Sequence, residues 1–287
     1  MTEAISSVLA QTFHDFELIV VDNCSTDNTT QLVQSFAARD RRIRYVRNQI
    51  NVGAQNNLNR CIELATGTYI NILCADDLLE PTALEKLVRA FEDHPNISLA
   101  SCARRIVDEA LRPLNILSFS DRFECVSGID VIHRCLKRGN LIGEPSAVLF
   151  RKLHAARGFD TRYRQFIDLE MWFYLLEKGN FAFVPEPLCK FRKHPGQGSL
   201  HNLSSFTVIE DEFFLYNEYH RKPYVHLSLF GRMMAKYRTV IRIWEIPVNG
   251  LPLDVLRTKM RAQYGQAFTA LLLVLLRIKH AITRVLG

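Results

Sequence analysis

Two adjacent carboxylates, Asp76 and Asp77, stand where a short apolar run, Tyr69 to Cys74, gives out. Like charges side by side resist ionising together unless a cation or hydrogen-bond donors lie against them. A hard divalent ion with oxygen ligands, bound together with a phosphate, meets that need. A plain turn suits the pair as well, because Asp is common at strand ends and helix N-caps. Three other stretches carry comparable chemistry. Asp22 closes the apolar run from Phe16 and is followed by Asn23-Cys24-Ser25-Thr26-Asp27. A carboxylate in that place can accept hydrogen bonds from a base or ribose, and a helix N-terminus beyond it favours phosphate. Asp168 lies four residues before Trp172, so the two share a helix face, and the dipole at a helix start favours its ionised form. His194 opens the Gly/Pro loop that runs to Ser199, a setting in which an imidazole could hold a metal or a phosphate. Taken singly, Asp22 and Asp168 read more readily as caps and His194 as an ordinary loop residue.

To act together they must be carried to one cleft. Glu3 to Phe13 reads as a helix with Ala4, Ile5, Val8 and Leu9 on one side. Phe16 to Asp22 predicts a parallel strand covered on both faces. Thr26 or Asp27 caps a helix over Thr29 to Ala38, and Ile43 to Val46 is a short strand. After the turn Asn51-Val52-Gly53 comes a helix from Ala54 to Ala65, closed by Gly67. The strand Tyr69 to Cys74 follows, then a helix over Thr82 to Phe91 introduced by Glu80-Pro81, then a strand over Ile97 to Ala103. This alternation predicts an α/β fold with a mostly parallel sheet flanked by helices. In such sheets ligands bind at the C-terminal strand ends, where Asp22, Asp76 and Asp77 fall. Beyond Val107 the rhythm loosens. A helix is expected over Gly128 to Leu136, a strand over Ala147 to Phe150, a helix over Ile167 to Gly179, and an extended segment from Phe181 to His194 broken by Pro185 and Pro187. From Leu203 the pattern is helical, with interruptions at Pro223, Pro247 and Pro252, which sets residues 201–287 apart from 1–200. The chain opens mid-helix, which reads as an α/β pattern whose first strand is missing.

The bulk properties narrow the field. The 287 residues carry a formal charge of +6, and 48% are hydrophobic. The basic balance fits anionic ligands or an anionic membrane surface, while the lack of a long Lys/Arg block or aromatic-basic interleaving excludes nucleic acid as the expected partner. Seven scattered cysteines without a CxxC pair read as reduced thiols of a cytosolic protein, not as a disulfide framework or zinc site. The apolar stretch Ala267 to Leu276 is too short to span a bilayer, which needs about 20 residues. With Arg277, Lys279, His280 and Arg284 behind it, this segment is expected either to lie on the inner face of the plasma membrane or to pack on protein.

Four separated stretches, taken in order, resemble family 2 glycosyltransferases of the GT-A fold. They are AISSVLAQTFHDFELIVVDNCSTDNT, NVGAQNNLNRCIELATGTYINILCADD, the DLEMW helix and PEPLCKFRKHPGQGS, and the likeness runs from residue 1 to about Ser199. The resemblance implies transfer of a sugar from a nucleotide diphosphosugar, a UDP- or dTDP-sugar, to an acceptor hydroxyl. It implies inversion at the anomeric carbon, Mg²⁺ or Mn²⁺ as cofactor, and a carbohydrate or lipid-linked acceptor in cell-surface polysaccharide synthesis. By the same resemblance Asp168 matches the catalytic base, and Asp22 the nucleoside contact. Asp76 falls on the ribose or metal side, Asp77 on the metal bridging the diphosphate, and His194 near both. Gly143, Glu144 and Pro145 match a loop lining the sugar and acceptor pocket. The residue types agree with the chemistry. A base removes the acceptor proton as the hydroxyl attacks, and a cation neutralises the departing diphosphate. This chain departs from the pattern in three places: Ile167 precedes Asp168 where a second acid is usual, Ala75 precedes Asp76, and Asn23 stands where another Asp is frequent. A strand missing at the start would leave the nucleoside pocket open on one side, so a non-catalytic remnant or regulatory partner is the alternative. A nucleotidyltransferase shares the same sheet logic.

Overall fold

The alternation read from the sequence takes shape around two sheets. A computed structural model of the chain describes residues 1–198, 202 and 207–226, and the chain divides into two compact units, Met1–Gln197 and Gly198–Gly287. Helix α1 (Thr2–Leu9) turns Ala4, Ile5 and Val8 inward. Strand β1 (Leu18–Asp22), helix α2 (Thr29–Ala37) and strand β2 (Ile43–Arg47) follow, and β1 pairs in parallel with β2 from Leu18 opposite Ile43 to Asp22 opposite Arg47. Helix α3 (Ala54–Leu64) leads to the larger sheet.

That sheet takes its strands out of chain order. Across it run β3 (Tyr69–Asn71), β8 (Val148–Arg151), β5 (Ile97–Val107), β9 (Asn180–Arg192) and β4 (Leu78–Leu79), with β6 (Pro113–Leu117) on β5 and β7 (Glu124–Val126) on β9. Helices α4 (Ala83–Asp93), α5 (Gly128–Arg138) and α6 (Ile167–Leu176) connect these strands. In the second unit, α7 spans Thr207–Tyr219. The sheet expected to be mostly parallel is mixed: among the described residues β1–β2 and β5–β9 pair in parallel, whereas β3–β8, β5–β8, β4–β9, β5–β6 and β7–β9 are antiparallel. Periodicity reveals that a segment is a strand, but not which neighbour it returns to.

Several local expectations shift for visible reasons. The strand expected over Tyr69 to Cys74 stops at Asn71. There the chain trades strand partners for side chains: Asn71 Nδ2 donates to the carbonyls of Ser146 and Val148, and the Cys74 amide donates to Ser146 Oγ. The two acids therefore sit on a loop held by residue 146, not on a strand edge. Phe181 to His194 is not broken at its prolines. It forms the single long strand β9, with Pro187 opposite Ala103 at a register shift, where the missing proline N–H disturbs no regular ladder. Leu18 to Val21 are only half-buried, not covered on both faces. Gly67 does not cap α3. The helix ends at Leu64, and the amides of Thr66 and Gly67 donate to the Glu17 carboxylate. Asn28 is the N-cap of α2, with Asp27 Oδ1 accepting the Thr29 amide. Strands β6 and β7 carry no alternation that periodicity could detect, and every residue of β6 is exposed.

The main core lies between α4 and the large sheet, where Leu87 and Phe91 meet Ile97, Ala100, Leu149 and Ala182. Burying each large apolar side chain contributes about 1.5–3 kcal/mol. A smaller cluster of Ile5, Val33 and Ile43 lies against Leu18 and Val20 of β1. Gly128, at the start of α5, is pressed against the end of α6: a Cβ there would lie 2.2 Å from the Leu176 carbonyl. No helix among the described residues is long and apolar enough to cross a membrane. The basic segment from Ala267 to Arg284 lies outside the described residues.

Candidate active site

Seven of the eight residues singled out by sequence belong to one connected arrangement, and a short segment that periodicity does not mark makes the connection. Residues 140–146, between α5 and β8, touch the acidic loop on one side and the start of α6 on the other.

On the acidic side, Asp77 is fully buried. Its Oδ2 accepts the Ser146 hydroxyl at 2.5 Å and its Oδ1 accepts the Arg192 amide at 3.0 Å. Burial pushes its carboxyl up to about 7 against the opposing effect of those bonds. Asp76, the neighbouring residue, points the other way. Its side chain is 36% exposed and its Oδ2 lies 3.0 Å from His194 Nε2. Both line a cavity of about 550 Å³ that also receives Glu3, Glu109 and Arg192. One ligand atom each from Cys74, Asp76 and Asp77 lies within 4.8 Å of the others. Burial pushes the Cys74 thiol up to about 12, so it stays protonated and is a poor metal ligand. Asp77, expected from the resemblance to be the direct metal ligand, has protein donors on both oxygens, while Asp76 and His194 are hydrogen-bonded to each other and line the cavity. A carboxylate beside an imidazole fits a divalent cation that completes its shell with phosphate oxygens and water.

On the other side, Asp168 and Trp172 share a face of α6 as their spacing predicts. Trp172 is fully buried and its Nε1 donates to the Gly143 carbonyl at 3.0 Å. Gly143 has φ +121°, and a Cβ there would press to 3.3 Å against the Arg104 guanidinium. Arg104 in turn forms an ion pair with Glu144. Asn140 organises the turn: its Oδ1 accepts the amides of Ile142 and Gly143 at 3.0 Å each. Its Nδ2 reaches Asp168 Oδ2 at 3.4 Å, a long and weak contact. Asp168 Oδ1 accepts the Leu169 amide. Burial pushes the Asp168 carboxyl up to about 7, with the Glu144 charge adding to the rise and Leu169 and Arg104 opposing it. The result is a carboxylate with one weakly engaged oxygen, poised near neutral pH. Two residues on, the fully buried Glu170 takes both guanidinium arms of Arg157, which fixes the start of α6 to the loop before it.

Pro145 opens the 3₁₀ turn Pro145–Ala147, which aims the Ser146 hydroxyl at Asp77. Asp22 stands apart. It is buried at the end of β1, where Ser25, Tyr45 and Arg47 engage its oxygens. Burial raises its carboxyl, but those partners outweigh it and hold the group below the usual range. Ser146 and Asn140 are functional candidates absent from the sequence reading, and Arg192 figured there only within the stretch PEPLCKFRKHPGQGS. Ser146 and Arg192 lie beside Gly143-Glu144-Pro145 and His194 in the chain, and that adjacency was the available signal.

The fold and the site can be set against known proteins. Residues 1–154 match the family model described as glycosyl transferase family 2. A Mycobacterium tuberculosis protein called uncharacterized is 32% identical over 203 residues, covering 66% of this chain and 61% of that one. An uncharacterized glycosyltransferase of Haemophilus influenzae is 28% identical over 211 residues, covering 69% and 62%. Among solved structures, Staphylococcus aureus TarS 1-349 in complex with UDP superposes with a TM-score of 0.65 at 16% identity, over 91% of this chain and 74% of that one. The mannosyltransferase PcManGT of Pyrobaculum calidifontis, in complex with GDP-Man and Mn²⁺, gives a TM-score of 0.59 at 17% identity, over 96% and 75%. The chain thus spans about three fifths of the length of these two curated relatives. The family match covers more than half of the chain, and the α/β architecture agrees with it: the chain belongs to glycosyl transferase family 2, with a fold of the GT-A type.

Proposed function

We propose that this chain is an inverting glycosyltransferase that moves a sugar from a nucleotide diphosphosugar to an acceptor hydroxyl. One observation carries the reading. The segment Asn140–Ser146 holds a half-buried carboxyl near neutrality at Asp168 on one side, and braces the loop bearing Asp76 on the other. The two carboxylates have separate partners and separate environments, as base and diphosphate anchor require.

In this scheme Asp76 and His194 would hold a divalent cation, Mg²⁺ or Mn²⁺, which when bound would supply positive charge to offset that of the departing diphosphate. Asp77 does not reach the ligand. It locks the acidic loop to Ser146 and to the end of β9, so that Asp76 is presented at a fixed angle. Asp168, in its ionised form, takes the proton from the acceptor hydroxyl as that oxygen attacks the anomeric carbon. Gly143, Glu144 and Pro145 shape the wall beside the sugar, held by Trp172 and Arg104. Asp22 at the end of β1 serves the nucleoside side through its partners, its own carboxylate being shut from solvent while Arg47 beside it is half exposed. The UDP complex and the GDP-Man and Mn²⁺ complex of the two structural neighbours support a nucleotide-sugar donor. A UDP- or dTDP-sugar donor and a carbohydrate or lipid-linked acceptor, in cell-surface polysaccharide synthesis at the inner membrane face, complete the proposal.

The test is a panel of nucleotide sugars incubated with the full chain and Mn²⁺, with release of free nucleoside diphosphate as the readout. Release from one donor, stimulated by an oligosaccharide or lipid-linked acceptor, is the expected outcome. No release and no binding across UDP-, dTDP- and GDP-sugars would falsify the reading.

A further inference from the structure

Arg192 is the one guanidinium among the described residues lining the cavity beside Asp76 and His194. Its main chain is fixed to the acidic loop through the amide bond to Asp77 Oδ1. The side chain is spread between two partners. Nη1 donates to the Glu109 carbonyl at 3.3 Å, and Nη2 meets Glu3 Oε2 on α1 at 2.5 Å. Its Nε is buried and has no hydrogen-bond partner among the described residues. The guanidinium is therefore held in the cavity with its Nε donor unpaired and, among the described residues, with Glu3 as its one ion-pair partner. That acid is loosely kept: the Glu3 side chain is 53% exposed, against 18% for Arg192.

We infer that Glu3 is an internal competitor, occupying the Arg192 guanidinium in place of an anionic ligand and swinging into solvent when a diphosphate binds. The inference rests on the diphosphate reading of the site proposed above. Three features of the geometry support it. Glu3 and Arg192 both line the cavity that holds Asp76 and His194, so a phosphate anchored there lies within reach of the same donors. A carboxylate and a phosphate oxygen make the same charge-assisted bond to a guanidinium, so one can replace the other without moving the arginine. An ion pair with a half-exposed partner is weak, because water solvates the released carboxylate. Glu3 thus balances the charge of the cavity while yielding readily to an anionic ligand. Phosphate then exchanges one anion for another at Arg192 instead of adding charge to an unpaired cation.

Because the base of the donor is not fixed by this geometry, the probe is inorganic pyrophosphate with Mn²⁺, titrated calorimetrically into the full chain. Glu3→Gln keeps the length of the side chain and removes its charge. This variant is expected to bind pyrophosphate more tightly by about two- to fivefold. In the Arg192→Lys background, where the planar fork is absent, the same Glu3→Gln change is expected to give a smaller gain. Equal or weaker binding by Glu3→Gln, with the wild-type chain binding normally, overturns the competitor role and leaves the glycosyl-transfer reading standing. An equal gain with and without Arg192 also overturns it, since Glu3 would then act through general charge alone. Absence of binding by every form, with or without Mn²⁺, overturns both this inference and the diphosphate reading beneath it.

Discussion

Asp77 and Asp168 are both pushed up to about 7 by burial, yet the structure treats them in opposite ways. Asp77 has a donor on each oxygen, the Ser146 hydroxyl and the Arg192 amide, and is shut away from solvent. Asp168 has one oxygen on the Leu169 amide and the other in a 3.4 Å contact with Asn140. A raised carboxyl alone therefore does not mark a catalytic base. What separates the two is spare hydrogen-bonding capacity. A carboxylate with a close protein donor on each oxygen braces the fold, while one with a weakly engaged oxygen can take a proton from a substrate.

The contrast can be broken most sharply at Asp168. Asp168→Asn is expected to reduce the transfer rate by about 10²- to 10⁴-fold while leaving nucleotide affinity unchanged, read by steady-state kinetics and calorimetry. Undiminished transfer would move the base elsewhere. Asp77→Ala is expected to act on stability instead. It leaves the Ser146 hydroxyl and the Arg192 amide without a partner, at a cost of about 2–5 kcal/mol in urea unfolding. An unchanged unfolding midpoint together with lost Mn²⁺ affinity would make Asp77 a ligand rather than a brace.

The dependence on pH sharpens the comparison further. The base must be ionised, so the transfer rate is expected to climb as pH rises through about 7 and to level off above it. Stability runs the other way. Both groups titrate near 7 in the folded chain and near 4 when unfolded, so between those values the folded state holds more protons. Their contribution is therefore most favourable at low pH and declines as pH rises from about 4 to about 7. In Asp168→Asn that decline should become shallower, measured as the urea midpoint against pH. An unchanged profile would mean that Asp168 is not held near neutrality. The smallest expected effect is at Ser146. Ser146→Ala removes one hydroxyl that serves both Asp77 and the Cys74 amide, and should cost about 1–2 kcal/mol. Any loss of transfer beyond that of a mildly destabilised chain would show that the bridge also sets the angle of Asp76.

Much of the first half of the chain was legible, because its elements are long and strongly patterned. The strand Leu18–Asp22, the helices Thr29–Ala37 and Ala54–Leu64, and the strand starting at Ile97 appear close to where periodicity puts them. The helix face shared by Asp168 and Trp172 followed from their spacing alone. Strands β6 and β7 were not legible: they are short, and β6 is exposed on both faces, so no alternation marks it. The site was legible as a set of residues but not as a division of labour. Asp76 and Asp77 are indistinguishable as letters.

What the sequence determined by itself was the set of chemical groups and the class of element carrying each: acids after apolar runs, an acid at a helix start, a histidine in a glycine-proline loop. These follow from local periodicity and turn chemistry, which act over a few residues. The tertiary structure decided which of them meet. Ser146 reaches Asp77 across 69 positions, and His194 reaches Asp76 across 118. Which carboxylate is buried and satisfied, and which is left open to a ligand, depends on contacts of that length. They are set when β8 enters between β3 and β5 and β9 closes beside β5, an order of strands that no local pattern encodes.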